Sequence, residues 1–222
     1  GWGAVARCGR CVRDGVSPRG TVGAPIASWR ILQEHIRTYL AQGNKRKNLV
    51  GEGFEDVLTA LIRRMPGASK LRLMTRPLLH DIPGFHTPPA GQKPRRVDLA
   101  ILLPNGHRIL VSAKWSVRAD REEQFGVDLE TYSRLENQGQ AFDFVLVTNE
   151  FDAARLVAAS RRRVSNADVF THVVHVNPSG PLAAYGPDLR RSAKALPEQL
   201  VKGRLLSLAA WSASLLDRPD HQ

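Results

Sequence analysis

The sequence predicts an α/β fold, a mixed central β-sheet flanked by helices. Three observations carry this reading. Apolar runs of strand length are spread over residues 97–177. Segments of helical periodicity lie before, between and after them. The resulting order, α-α-β-β-α-β-α-β-α, suits one sheet covered by helices better than separate helical and sheet domains.

At the start of the chain, residues 1–25 are Gly-rich, basic and aperiodic, and are expected to form a flexible arm. Residues 26–222 then make a single domain. Cys8 and Cys11 stand in "CGRC". No second cysteine pair or spaced histidine pair completes a four-ligand zinc site, so two reduced thiols are expected. Ser28 starts a helix that runs to about Gln42 before Gly43. "NKRKN" (44–48) follows as a basic loop.

A second helix is expected over residues 49–65, stopped by Pro66-Gly67. Val50, Phe54, Val57, Leu58, Leu61, Ile62 and Met65 share its apolar stripe. Residues 76–96 hold five Pro and two Gly and read as a long irregular connection. Such connections are plausible carriers of nucleic-acid-facing loops. Val97–Leu103 and Arg108–Trp115 make a hairpin around Pro104-Asn105-Gly106. A helix from Ser116 to Leu135, a strand at "FDFVLVTNE" (142–150), a helix over 151–163, a strand at "VFTHVVHVN" (169–177) and a last helix over 196–216 complete the chain.

The 222 residues are 42% hydrophobic and 24% charged, ordinary for a globular protein. No apolar run approaches the ~20 residues of a membrane span. No signal-peptide pattern is legible at the start of the chain. Lys and Arg number 32 against 21 Asp and Glu, a net charge of +11. Clustered cations gain affinity for polyanions by releasing counterions, so nucleic acid is the expected partner class. No basic amphipathic helix argues for a membrane surface.

The chemistry concentrates around the hairpin. Asp98 and Lys114 lie at matching ends of two otherwise apolar strands. Charged residues are uncommon in buried strands. An ordinary edge salt bridge is the plain alternative. Glu55 sits at the margin of its helix's apolar stripe, with Glu52 on the opposite, solvated side. In the helix after the hairpin, Val117, Arg121, Phe125, Asp128, Tyr132 and Leu135 share a face, whereas Glu123 and Glu130 point away. Asp128 is therefore a carboxylate among core-facing residues and needs a cation or donors. Arg121 or a metal could serve. Glu55, Asp98 and Asp128 are hard oxygen ligands of the kind that suit Mg2+. Beside a lysine they fit phosphodiester hydrolysis. The histidines (His80, His86, His107, His172, His175) lack paired spacing and are expected at surfaces or strand edges. Trp115 is expected to pack under the hairpin. Arg161, Arg162 and Arg163 favour a helix end.

"VD-x13-SAK" (Val97-Asp98 to Ser112-Ala113-Lys114) resembles the PD-(D/E)xK nucleases, with Val97 in the place of Pro and Ser112 in the place of the second acid. "SAKWSVRADREEQ" followed by Asp128 is similar to the NgoMIV-like group of type II restriction endonucleases, which cut CCGG-containing sites. In that group the displaced acid comes from the next helix, fourteen positions after the lysine, which is Asp128 here. The group's acid at that position is usually Glu. The likeness covers about residues 95–150.

The resemblance implies a restriction-endonuclease-like core and Mg2+-dependent hydrolysis of double-stranded DNA. Asp98, Asp128 and Glu55 (Glu52 the alternate) would be metal ligands, with Lys114 the fourth catalytic group. Arg118, Asp120 and Arg121 match an Arg-x-Asp-Arg reading segment: Arg donates to guanine and Asp accepts from cytosine. Ser112 is grouped with them, and Lys45, Arg46 and Lys47 suit backbone phosphates. A palindromic target implies a homodimer, or a homotetramer by family likeness, in a prokaryotic cytoplasm. The alternatives are a nuclease on the same scaffold with another target, such as a resolvase or defence nuclease, and a non-catalytic DNA-binding protein.

Overall fold

The computed structural model describes Glu34 and residues 49–117, 122–185 and 194–215. Lys45, Arg46, Lys47, Arg118, Asp120 and Arg121, and the expected arm and first helix apart from Glu34, lie outside the described residues. The chain divides into two units, Gly1–Lys45 and Arg46–Gln222. The sheet, its helices and the candidate site all belong to the second unit.

Helix α1 is described over residues 49–63. Strands β1 (Arg72–Thr75), β2 (Leu99–Leu102) and β3 (Arg108–Lys114) come next. Helix α2 (Glu122–Leu135) leads to β4 (Phe142–Thr148), and α3 (Ala153–Arg161) to a small hairpin, β5 (Arg163–Val164) and β6 (Ala167–Asp168). Then come β7 (His172–His175), α4 (Ser179–Tyr185), α5 (Leu196–Val201), β8 (Leu205–Ser207) and α6 (Leu208–Ser214).

The main sheet has six strands in the order β1-β2-β3-β4-β7-β8. β1, β2 and β3 are antiparallel neighbours, while β3-β4, β4-β7 and β7-β8 pair in parallel. The sheet is therefore mixed, as expected. The parallel half advances in one direction, so crossovers of one hand keep α2 and α3 on one face. On that face Ala100, Leu110, Phe144, Leu146 and Val173 meet Phe125, Tyr132 and Leu135 of α2 and Leu156 of α3. The alternate residues Leu99, Ile101, Ile109, Val111 and Val145 turn the other way. They meet Phe54, Leu58 and Ile62 of α1 and Trp211 of α6. Burial on both faces explains why these strands read as near-continuous apolar runs. Each fully buried aliphatic or Phe side chain contributes about 1.5–3 kcal/mol. The centre of the sheet is thus the firm frame on which the strand ends are mounted.

The β2-β3 turn forms as expected. The Gly106 N–H donates to the Leu103 carbonyl at 3.0 Å and the Asn105 side chain accepts from the His107 N–H at 3.0 Å. Gly106 has φ 82°, which favours glycine there.

The structure departs from expectation in several places. Val50, Val57 and Leu61 are about half exposed. α1 packs through the narrower i, i+4 row Phe54, Leu58 and Ile62. β1 and the β5-β6 hairpin are additions to the expected elements. Ser116 and Val117 are not helical. The Val117 N–H donates to Glu150 at 2.8 Å and its carbonyl accepts from Arg155 at 3.1 Å, which holds the chain away from α2. The final expected helix divides into α5, β8 and α6. Gly203, at φ 67°, turns the chain so that Leu205–Ser207 can pair with β7. The segment 76–96 includes a 3-10 turn at Leu79–Asp81.

Candidate active site

The antiparallel register sets the start of β2 beside the end of β3. Leu99 pairs with Val111, so Asp98, one residue earlier, falls opposite Ser112. Asp98 Oδ2 accepts from Lys114 Nζ at 2.6 Å, from the Ala113 N–H at 2.8 Å and, at the edge of bonding distance, from Ser112 Oγ at 3.5 Å. The Asp98 carbonyl accepts from the Arg76 N–H of the neighbouring segment at 2.9 Å. The ion pair is partly open, with 28% of the Lys114 and 21% of the Asp98 side chain exposed. The carboxyl ends of the parallel strands β3 and β4 lie at this same end of the sheet, where open α/β sheets usually place ligands.

A cleft of about 980 Å³ opens there, and Asp98, Ser112, Lys114, Asp128 and Tyr132 all line it. Helix α2 supplies Asp128 because Phe125, Tyr132 and Leu135 anchor its inner face. Asp128 accepts from Gln124 at 2.8 Å and faces Arg95 at 3.7 Å. Burial, opposed by Gln124, Arg95 and Lys114, holds its carboxyl above the ordinary aspartate range. The Tyr132 hydroxyl is pushed far up, by burial first and then by the negative charges of Asp128 and Asp98. These three groups therefore share one electrostatic neighbourhood.

Glu55 approaches from α1, on the other face of the sheet, and is not part of the cleft wall. Its Oε2 accepts from Arg76 Nε at 2.6 Å. Arg76, at φ 51°, also reaches the Glu52 carbonyl at 2.8 Å and Asp56 at 3.0 Å. Burial and then the negative charge of Asp98 raise the Glu55 carboxyl, against Arg76 and Lys114. Glu52 is exposed, as expected.

Asp98, Lys114, Ser112 and Asp128 are thus brought to one cleft, and Glu55 is coupled to it electrostatically. Among the described residues no three His, Cys, Asp or Glu side chains converge into a ready-made metal cage. Mg2+ needs no such cage: it takes one or two carboxylates, keeps waters and shares substrate oxygens. Two carboxyls raised by burial around Asp98 are a donor set that a hard cation would relieve. The residues present fit the ion in that chemical sense.

Sequence reasoning missed the counter-ions. Arg95 and Arg76 hold Asp128 and Glu55. Arg95 was signalled by "KPRR" immediately before the hairpin. Arg76 carries no pattern that could have found it. Trp115 touches Phe54 edge-on, centroids 5.6 Å apart, yet remains 49% exposed rather than packed beneath the hairpin. His175, expected at an edge, is fully buried. It bonds the Glu150 carbonyl at 2.9 Å and the Asn177 N–H at 3.0 Å, and burial lowers its pKa. Arg161 pairs with Glu198 at 3.0 Å.

No family model and no curated protein matches the sequence. Among solved structures the chain is similar to metal-depleted Ecl18kI in complex with uncleaved, modified DNA, at 14% identity and a TM-score of 0.43. The match covers 89% of this chain and 56% of that one, so the chain spans about half the length of that relative.

Proposed function

We propose that the chain is a Mg2+-dependent, sequence-specific endodeoxyribonuclease of the PD-(D/E)xK type. Its target in this reading is double-stranded DNA at a C/G-rich palindrome with a CCGG core. The observation that carries the reading is the Asp98–Lys114 pair, set at one sheet end and opening with Asp128 onto a cleft rich in cations. An ordinary edge salt bridge would not need a further half-buried carboxylate beside it.

Hydrolysis adds water across the P–O3′ bond and leaves a 5′-phosphate and a 3′-hydroxyl. Asp98 and Asp128 would hold Mg2+, with Glu55 in support. When bound, the ion supplies polarisation of the phosphoryl oxygen and a more acidic water. Lys114 orients the attacking water or stabilises the negative charge that grows on the phosphoryl oxygens. Asp98 fixes the ammonium through the 2.6 Å bond. The Ala113 N–H fixes Asp98 in turn. Tyr132 stays a neutral phenol, so it acts as a wall or donor and not as a base. Arg118, Asp120 and Arg121 read the bases, and Lys45, Arg46 and Lys47 touch the backbone. A two-fold target requires two such sites and hence a homodimer.

The test is a set of supercoiled plasmids carrying CCGG variants, incubated with and without Mg2+. Discrete fragments that require both Mg2+ and one variant are expected. Structure-dependent cuts or a smear would point to a resolvase or defence nuclease. Retarded but uncut DNA would leave only a binding protein.

A further inference from the structure

The segment from Pro88 to Arg96 is unaccounted for by the catalytic reading. It is a pre-shaped loop. The Gln92 N–H donates to the Pro89 carbonyl at 3.0 Å, and Gly91 at φ 86° occupies the turn position that demands a left-handed residue. Pro88, Pro89 and Pro94 further restrict the chain. Its exit is stitched to the segment before it. The Leu79 N–H donates to the Arg95 carbonyl at 2.8 Å, the Val97 N–H to the Pro77 carbonyl at 3.0 Å, and Leu78 bridges Arg96 through the backbone. A loop held this way loses little conformational freedom when it binds a ligand.

The loop brings Lys93, Arg95 and Arg96 to the cleft, and α2 brings Arg134. Lys114 and Arg95 are answered by Asp98 and Asp128. The side chains of Lys93, Arg96 and Arg134 have no ion pair or hydrogen bond among the described residues, and all three residues are exposed. The aromatic residues of the cleft, Phe125 and Tyr132, are buried and offer no stacking surface for unpaired bases. Unanswered cations without stacking platforms suit the phosphates of a duplex.

We propose that Lys93, Arg96 and Arg134 form a sequence-independent wall that seats the DNA backbone beside the Asp98–Lys114 pair. This rests on the nuclease reading and adds the residues that position the duplex. The wall gives affinity and register, and leaves base discrimination to other residues.

The experiment uses the full chain with chelator and no divalent ion. Fluorescence anisotropy follows binding to two short duplexes, one with CCGG and one without, over a range of salt. The triple variant K93A/R96A/R134A is compared with wild type and with the charge-conserving K93R/R96K/R134K. Each lost phosphate contact lowers the log–log salt slope by about 0.9, so the triple alanine variant is expected to lose about two to three from the slope, equally for both duplexes. The charge-conserving variant is expected to keep the wild-type slope. A wild-type slope in the alanine variant, with wild type cutting plasmid in Mg2+, overturns the wall alone. A loss confined to the CCGG duplex also overturns it, because the residues would then read bases. Tighter binding of single-stranded DNA or duplex RNA by wild type overturns the duplex-DNA assignment. Wild type that neither binds nor cuts DNA removes the nuclease reading together with the wall.

Discussion

Strand β3 begins and ends with a cation, and the two ends are built in opposite ways. Arg108, at the start, is 2% exposed, and both terminal nitrogens of its guanidinium are bonded. Its guanidinium donates to Glu136 and the Gln140 carbonyl at 2.9 Å each, to the Gly84 carbonyl at 3.2 Å and to the Pro83 carbonyl at 3.4 Å. It also lies 5.1 Å from the centre of the Phe85 ring. A Cβ at Gly84 would collide with it. Lys114, at the other end, has one carboxylate partner and faces a cleft. Where a buried cation spends its terminal donors on the chain itself, the charge fastens structure. Where capacity is left over beside water, it remains for a ligand.

This contrast can be broken most sharply at Arg108. Replacing it by Ala strands the Glu136 carboxylate, and removal of one partner from a buried pair costs about 3–5 kcal/mol. Urea denaturation is expected to show that loss, and a change below about 1 kcal/mol would erase the distinction between the two ends. Burial opposes ionisation of Glu136, yet the Gln138 N–H and Arg108 outweigh it and hold the carboxyl below its ordinary value. That contribution is therefore present above the ordinary glutamate pKa and is lost as pH falls through the depressed one.

At the other end the effects trade places. Lys114→Ala is expected to move stability by no more than about 1 kcal/mol, as for a partly exposed pair. Plasmid cleavage is expected to fall by about 100-fold or more, the scale of losing a donor to developing charge. A large stability loss with unaltered cleavage would make Lys114 a second Arg108.

The smallest effect is expected at Asp128. Its raised carboxyl means that the folded chain keeps a proton the unfolded chain has shed, so stability falls as pH rises from the ordinary to the raised value. Asp128→Asn removes that slope and is expected to raise Tm at neutral pH while cleavage declines. Thermal melts from about pH 4 to about pH 7 check the sign. A lower Tm for the variant at neutral pH would show that the carboxylate is stabilised where it stands.

The frame was legible where burial on both faces writes a continuous apolar run, as in β2, β3, β4 and β7. It was illegible where strands are too short to show a period. β8 lies in a stretch of helical composition and is defined by its pairing with β7. The β5-β6 hairpin turns on Ser165 and Asn166, both at positive φ, and neither is glycine. Asp98, Lys114 and Asp128 could be picked out because charge in an apolar context needs explaining. Arg108 sits in just such a context too, and only the folded structure separates it from Lys114. Arg76 was invisible because a lone arginine follows no spacing rule, and Arg95, though signalled by "KPRR", could be matched to Asp128 only in the fold.

Asp98 and Lys114 belong to the two arms of one hairpin, whose turn at Pro104–Gly106 lies at the far end of both strands. Side chains alternate along a strand, so sliding one arm by a single residue would exchange inward and outward positions along its length. The turn therefore acts as a gauge for a distance it never touches. A one-residue insertion there would leave every functional group present in the chain and dissolve the encounter between them.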